Sequence, residues 1–189
     1  DKFVPNRGKV LDEDALENME QFHRYLDTDG DGIPYRTIPG VHPKGAYFTR
    51  GSGHNKFGGY TEDAAEYQDV VDRLLIKWET AKSIVPSPIK DFKKKNKMAI
   101  LSIGSCDDAI REARDLMSKD GHDFNYLRVR AFPFSKDIEE FINKHESVFV
   151  IEQNRDGQLL KLLKTETSCD MSKLKSIRMY NGIPIFPKD

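Results

Sequence analysis

The second half of the chain alternates short apolar runs with amphipathic segments, and this alternation constrains the fold more than any other feature. Residues 106–119 and the segment after Ser135 carry apolar side chains at helical spacing. The apolar runs between them are MAILSI (98–103), FNYLRVRAF (124–132), VFVI (148–151) and SIRMY (176–180). Strands that alternate with helices favour a mostly parallel sheet with right-handed crossovers. We therefore expect an α/β domain over residues 98–189.

The first half has a different organisation. Leu16, Met19, Phe22 and Leu26 form one apolar stripe, so a helix is predicted over 11–26 with Asp12 as its cap. A second helix is predicted from Thr61 to residue 85. Its packing face comprises Ala64, Tyr67, Val71, Leu74, Trp78, Ala81 and Val85. Residues 33–60 between the two helices form a long loop, and the proline-punctuated basic stretch 86–97 is predicted to be a linker between domains.

Composition narrows the class of protein. The net charge is −1 and 32% of the 189 residues are charged, so no bulk field attracts nucleic acid or an anionic membrane. No apolar run approaches the ~20 residues of a membrane span. Two cysteines make no disulfide framework and cannot alone hold an iron–sulfur cluster, which favours a reducing, cytoplasmic setting. The chain starts DKFVPNRGK, and we expect it to be a fragment of a longer chain.

The stretch DTDGDG (27–32) has the spacing of a calcium loop. Asp27, Asp29 and Asp31 alternate, but the position that needs a bidentate glutamate is Ile38, which excludes an EF-hand. A weaker three-carboxylate site for Ca²⁺ or Mg²⁺ remains an alternative. The simpler interpretation is a turn that ends the first helix.

The loop 33–60 contains no Asp or Glu, yet it contains four fixed cations and two histidines. Cations without a local counter-charge repel one another unless an anion or an acidic surface lies opposite, and interspersed glycines let backbone N–H groups approach an anion. Two interpretations follow: a clamp for phosphates or carboxylates, or a loop docked on an acidic partner subunit. The candidate anion contacts are Arg36, Lys44, Arg50 and His54.

Glu152 lies at the carboxyl end of a predicted buried strand, where open α/β sheets bind ligands. Asn154 and Arg155 follow it. These residues either line a ligand crevice or form ion pairs at an interface with another subunit, and the interface is the favoured interpretation. The turn IGSCDD (103–108) resembles a phosphate loop but lacks a glycine fingerprint, so an ordinary strand-to-helix turn with a bystander Cys106 is favoured.

Four stretches together resemble a known family. They are RGKVLDEDAL, YLDTDGDGIPYRTIPGVHPKGAYFTRGSGHN, YTEDAAEYQDVVDRLLIKWETAK and VFVIEQNRDGQLLKLL. They look like the carboxyl-terminal part of the α subunit of 2-oxoacid:ferredoxin oxidoreductases, with the 2-oxoglutarate type as the best match. The second half also resembles the carboxyl-terminal domain of transketolase. The resemblance implies that residues 1–85 are the tail of a thiamine-enzyme pyrimidine-side domain and that 98–189 are the transketolase-like domain.

The resemblance also implies a reaction. The family oxidatively decarboxylates a 2-oxoacid on thiamine diphosphate with Mg²⁺, forms an acyl-CoA, and passes electrons through a [4Fe–4S] cluster to ferredoxin. Most cofactor ligands of the family lie on the β subunit or upstream of this stretch, so the fragment is expected to be inactive alone and to need no cofactor of its own. Expected partners are the β subunit, ferredoxin through the complex, the 2-oxoacid and CoA.

Two other functions remain as alternatives. One is a non-catalytic assembly module whose loop only grips the β subunit. The other is a divalent-cation-binding regulatory domain centred on the Asp27, Asp29 and Asp31 triplet.

Overall fold

A computed structural model describes residues 4–48, 51–92 and 96–189 of the chain. The chain divides into two compact units, unit 1 (Asp1–Ala81) and unit 2 (Lys82–Asp189). Unit 1 is built mainly of turns and loops around two helices, α1 (Glu13–Glu17) and α2 (Ala64–Ile84), the second of which runs past the boundary. No helix in the described ranges is long and apolar enough to cross a membrane.

The first helix is much shorter than the predicted span 11–26. Asp12 caps it as expected, because its Oδ1 accepts the N–H of Ala15 at 2.9 Å. The helix stops at Glu17, and the chain then continues in turns that still bury Phe22. The apolar stripe correctly identified Leu16 and Phe22 as buried residues. Turns after Glu17, rather than a continuous helix, bring these side chains into the core.

Helix α2 forms as predicted, with two differences. Asp63, rather than Thr61, caps its start, since Asp63 Oδ1 accepts the N–H groups of Ala65 and Glu66 at 2.9 Å. The predicted packing face is largely exposed: Tyr67, Val71, Leu74 and Trp78 are 38–54% exposed, and Val70 is the buried residue of the helix. An apolar stripe shows which face of a helix needs a partner, but it does not show that the partner lies in the same stretch of chain.

Unit 2 contains a five-stranded sheet. Its strands are β1 (Ile89–Asp91), β2 (Met98–Ile103), β3 (Asn125–Val129), β4 (Ser147–Glu152) and β5 (Leu174–Arg178). They lie in the order β1-β3-β2-β4-β5, and all neighbours are parallel except the antiparallel pair β1 and β3. The predicted α/β class with a mostly parallel sheet is confirmed.

Strand β1 lies within the stretch predicted to be a linker, 86–97. Ile89 is paired with Arg128 and Asp91 with Tyr126, so this part of the stretch belongs to the sheet. The prolines on its amino-terminal side misled the interpretation, because an edge strand tolerates proline close by. Lys93, Lys94 and Lys95 lie outside the described residues.

Helices cover both faces of the sheet. Helix α3 (Asp107–Lys119) packs on one face through Ile110, beside Ile100 and Tyr126. Helices α4 (Lys136–Asn143) and α5 (Gln158–Glu166) cover the other face, and the cluster they bury includes Leu101, Leu127, Ile138, Phe141, Ile142, Val148, Val150, Leu159 and Leu163. Successive strand residues therefore serve opposite cores, as alternation along a strand requires.

Candidate anion-binding site

Lys9 forms ion pairs with two of the three aspartates in the turn that was weighed as a metal site. Its ammonium lies 2.7 Å from the carboxylate of Asp29 and 2.6 Å from that of Asp31. Desolvation lowers the pKa of Lys9, but its hydrogen bonds to Asp29 and Asp31 outweigh it and raise that pKa above the ordinary value. The hydrogen bond from Lys9 is likewise the largest cause of the lowered pKa of each aspartate.

Asp27, the third member of the triplet, is used to close the turn. Its Oδ1 accepts the N–H of Gly30 at 3.0 Å and its Oδ2 accepts the N–H of Gly32 at 2.7 Å. In the part of the chain that the structure describes, no group of three or more His, Cys, Asp or Glu is arranged to hold a metal ion. The geometry corrects the metal alternative, because the lysine ammonium lies where a cation would bind Asp29 and Asp31.

Lys44, one of the loop cations, finds its partners outside the loop. Lys44 Nζ donates to the backbone oxygens of Glu17 at 2.6 Å and Met19 at 3.1 Å, and it lies 3.9 Å from the Glu17 carboxylate. His42 Nε2 lies 2.9 Å from that same carboxylate. Lys44 therefore holds the carboxyl end of α1, where a cation is favourable. The lack of acids within 33–60 did not leave this cation free, so Lys44 has a structural role here, and its assignment as an anion contact stays a prediction.

His54 also has internal partners. Its ring stacks on that of Tyr25, with centroids 4.0 Å apart and planes inclined by 25°, and its Nδ1 lies 3.0 Å from the backbone oxygen of Asn55. Nearby, Lys56 lies 3.8 Å from the carboxylate of Asp69. The structure thus gives His54 a packing role in the loop. Arg50 lies outside the described residues, and its assignment as an anion contact stays a prediction.

Arg36 is the predicted anion contact that the structure brings into a cationic setting. Its Nη2 donates to the backbone oxygen of Arg7, and it lines a cavity of about 370 Å³ in unit 1. Sequence reasoning missed the other arginines there, Arg7, Arg24 and Arg73. One signal was available: Arg73 and Lys77 are like charges four residues apart on α2, which is unfavourable unless something compensates them.

Glu152 has an internal role rather than an interface role. Its side chain is 1% exposed, and its carboxylate accepts the N–H groups of Leu159 at 2.8 Å and Leu160 at 3.3 Å and the side-chain amide of Asn154 at 2.6 Å. It thus satisfies free donors at the start of α5, where negative charge is favourable. Arg155 pairs with Asp156 at 2.7 Å instead. The prediction that Glu152, Asn154 and Arg155 lie at an interface or line a crevice stays a prediction, and within the chain Glu152 and Arg155 have separate partners.

The order of the parallel strands reverses direction beside β2, so a crevice opens at the carboxyl ends of β2 and β4. Ser105 and Gln153 line it, and the Ser105 hydroxyl donates to Gln153 Oε1 at 2.9 Å across the gap. Cys106 is buried, and this burial is the largest cause of its raised thiol pKa. A raised pKa disfavours the thiolate, which agrees with the bystander interpretation of this cysteine.

A buried polar network ties the start of α3 to the sheet. The Asp107 carboxylate accepts from Arg111 Nε at 3.1 Å, from Arg128 Nη1 at 3.0 Å and from the Tyr126 hydroxyl at 2.9 Å. Burial raises the pKa of Asp107, but the hydrogen bonds from Arg111 and Tyr126 and the nearby positive charges outweigh it, so the pKa is lowered. With its oxygens thus satisfied, Asp107 supports the fold of unit 2 rather than a reaction.

These features define a class of protein: an α/β domain with a flavodoxin-like order of parallel strands, joined to an irregular unit that contains a cation-lined cavity. The chain is 29% identical, over 194 aligned residues and 98% of its length, to subunit alpha of 2-oxoacid:ferredoxin oxidoreductase 2 from Aeropyrum pernix. No family model matches the chain. The resemblance predicted from the four sequence stretches is confirmed, and the chain spans 28% of the length of this relative.

A solved structure shares the fold. The 2-oxoglutarate:ferredoxin oxidoreductase from Magnetococcus marinus, solved with 2-oxoglutarate, coenzyme A and succinyl-CoA bound, superposes with a TM-score of 0.79 at 21% identity. The superposition covers 91% of this chain and 30% of that one. The similarity therefore extends over the arrangement of unit 1 as well as over the common α/β fold of unit 2.

Proposed function

We propose that this chain is part of the α subunit of a thiamine-diphosphate-dependent 2-oxoacid:ferredoxin oxidoreductase, which converts a 2-oxoacid to an acyl-CoA. The observation that carries the proposal is the similarity to one α subunit along 98% of the chain. A match limited to unit 2 would indicate only a widespread α/β fold, whereas the irregular loop of unit 1 is an unusual stretch to share. Unit 1 would then be the tail of the pyrimidine-side domain and unit 2 the transketolase-like domain.

Among the described residues, no donor set for a [4Fe–4S] cluster or for Mg²⁺ is present. A [4Fe–4S] cluster takes about four thiolates, whereas the chain has two cysteines, both buried in unit 2. In the acidic turn that could have held Mg²⁺, Lys9 forms ion pairs with Asp29 and Asp31. We therefore propose that Mg²⁺ and the cluster are held mainly by the remainder of the α subunit and by the β subunit, and the family resemblance implies the same for thiamine diphosphate.

The substrate proposed is 2-oxoglutarate, with coenzyme A as the acyl acceptor. Both are polyanions, and the relative of known structure binds both. Arg36 and Arg50 are the residues of this chain proposed to contact such an anion. Lys44 and His54 would act indirectly, since Lys44 holds the end of α1 and His54 stacks on Tyr25.

The first experiment tests the division of labour. The chain, the complete α subunit, and the α subunit with its β subunit are each assayed for 2-oxoacid- and CoA-dependent reduction of a viologen dye. We expect reduction only from the complete pair, and faster reduction with 2-oxoglutarate than with pyruvate. Turnover by the chain alone would contradict the proposed need for the other parts.

The second experiment tests the loop in the assembled enzyme. Arg50→Ala is expected to raise the KM for the 2-oxoacid or for CoA about ten- to hundredfold, because a hydrogen bond to a charged group contributes about 1.5–3 kcal/mol. Lys161→Gln, an exposed cation on α5, is the matched control and should leave KM unchanged. If Arg50→Ala instead prevents assembly with the β subunit and any complex formed has normal kinetics, the assembly-module alternative is correct.

A further inference from the structure

The cavity that Arg36 lines has an unusual composition. Its volume is about 370 Å³, and it is lined by Gly8, Tyr25, Ile33 and Pro34 together with six cationic residues, Arg7, Lys9, Arg24, Arg36, Arg73 and Lys77. No acidic residue lines it. We refer to it as the cationic cavity. Four separate segments of unit 1 contribute to it, so the clustering of charge is a product of the fold and not of one basic run.

Five of the six cations have no acidic partner. Lys9 is engaged with Asp29 and Asp31, but Arg7, Arg24, Arg36, Arg73 and Lys77 form no ion pair with any acid that the structure describes. Asp27, Asp69 and Asp72 line a separate cavity, which shares only Tyr25 and Arg73 with this one. Asp27 is in addition occupied by the N–H groups of its own turn. Cations gathered in this way are stabilised when an anion lies between them.

Arg73 provides an independent observation. Its Nη1 donates to the backbone oxygen of Gly32 at 2.9 Å, but its Nε is buried and has no hydrogen-bond partner among the described residues. Desolvation is the main cause of the lowered pKa of Arg73, and the neighbouring Arg24 lowers it further, which Asp27 only partly offsets. A buried donor left unsatisfied is costly, and Arg73 is one of the residues that line the cationic cavity, so an acceptor from outside the chain would relieve this cost.

The wall of the cationic cavity is held rigidly. Gly32 has a φ of +78°, and a Cβ at this position would lie 2.2 Å from the backbone nitrogen of Lys77, so the acidic turn lies directly against α2. Thr80 Oγ1 donates to the backbone oxygen of Asp31 at 2.6 Å on the next turn of the helix. Binding groups fixed in advance lose little conformational freedom when a ligand enters.

We propose that the cationic cavity binds the phosphate groups of a small anion of the diphosphate or nucleotide class. Phosphate groups are favoured over carboxylates because guanidinium groups from several directions need several acceptor oxygens and more than one negative charge. A small molecule is favoured over an acidic protein segment because the cavity is of ligand size. The inference deepens the proposed function, since Arg36 belongs to both, but it does not need the chain to turn over.

The test is a titration of the chain with inorganic pyrophosphate at low salt, in which binding is measured by calorimetry. Saturable binding is expected, and Arg24→Gln should weaken it at least tenfold, because Arg24 has no internal partner whose loss would disturb the fold. Lys77→Gln should weaken binding as well. Lys161→Gln on α5 is the control and should bind like the unmodified chain. Circular dichroism spectra of all variants verify that each is folded.

Two further arms distinguish the sources of the phosphate and the competing ligands. Adenosine 3′,5′-bisphosphate that binds more tightly than pyrophosphate would indicate a nucleotide, and the reverse order a free diphosphate. Binding of 2-oxoglutarate or of an acidic peptide in preference to both would overturn the proposal, as would pyrophosphate binding that Arg24→Gln and Lys77→Gln leave unchanged. If the chain binds pyrophosphate but the assembled enzyme is inactive with 2-oxoacids, the proposed function is rejected and the proposed binding site is supported.

Discussion

The interactions that stabilise unit 1 internally differ from those that stabilise unit 2. Among the described residues, unit 1 buries three apolar side chains, Leu16, Phe22 and Val70, whereas unit 2 buries twenty. Unit 1 relies instead on polar links between distant segments, such as Lys9 with Asp29 and Asp31 and Arg73 with Gly32. Apolar burial supplies most of the stability of a folded domain. Unit 2 therefore has a core large enough for an independent domain, whereas unit 1 has few buried apolar side chains.

The difference between the two units can be measured, because unit 1 contains its own spectroscopic probe. Unit 1 contains the cationic cavity and exposed apolar side chains of α2 such as Leu74 and Leu75, and unit 2 also has exposed apolar side chains, such as Ile183 and Phe186. Trp78, the only tryptophan of the sequence, lies in unit 1 and provides a fluorescence probe of that unit. We expect its transition at a lower denaturant concentration than the circular dichroism transition, to which the sheet of unit 2 contributes.

The largest effect is expected from the core of unit 2. Phe141 is 1% exposed and packs beside Phe92 and His145. Phe141→Ala should lower the free energy of unfolding by about 3–5 kcal/mol, because the cavity it leaves cannot be filled by surrounding side chains. The loss is measured by urea denaturation with circular dichroism, while the Trp78 transition should hardly move. A parallel shift of both transitions would show that the two units unfold as one.

The corresponding change in unit 1 uses two glycines with similar backbone angles. Gly32→Ala should cost about 2–5 kcal/mol, the sum of a left-handed conformation and a collision with the Lys77 backbone. Gly30→Ala is the control, since Gly30 has a φ of +77° but no atom within 4 Å of its added Cβ, and it should show the conformational cost alone. The free energy of unfolding of both variants is measured by the Trp78 fluorescence. Equal losses of this free energy would mean that the turn is not in close contact with α2.

A smaller effect is expected at the start of α5. Glu152→Gln should destabilise unit 2 by about 1–3 kcal/mol, because the new amide group opposes one of the two N–H donors that the carboxylate accepts. Glu146→Gln, which removes the charge of an exposed pair with Lys97, is the control and should change stability by less than about 1 kcal/mol. Both are measured by thermal unfolding. No difference between them would refute the capping role of Glu152.

The smallest effect is expected on the loss of stability at low pH. The pKa of Asp107 is lowered in the folded chain, so its contribution to stability is present above the unfolded value of about 3.9 and is lost as the pH falls through the folded value. Asp107→Asn should therefore flatten the loss of stability below about pH 4, as followed by urea denaturation at several pH values. Asp120→Asn, at the exposed end of α3, should keep the slope of the unmodified chain.

Local pattern predicted unit 2 well. The runs around Ile100 and Val150 became β2 and β4, because a buried strand needs a continuous apolar run and the turns around Gly104 and Gly157 separate strand from helix. The run around Ile177 became β5, in which only Leu174 is buried. The pattern failed at β1, which has only three residues and is defined by its pairing with β3. It also failed over 18–26, where turns supply the same buried side chains as a helix would.

The candidate anion-binding site could likewise be predicted only in part from the sequence. The sequence by itself determined that the loop 33–60 contains no acidic residue and that Arg36 is one of its four fixed cations, since composition depends on nothing but the chain. Only the tertiary structure decided which cations remain uncompensated. Lys44 found Glu17 and Lys9 found Asp29 and Asp31, whereas Arg24, Arg73 and Lys77 converged on one cavity without an acid. Ion pairs form between residues close in space, and distance along the chain does not fix distance in the fold.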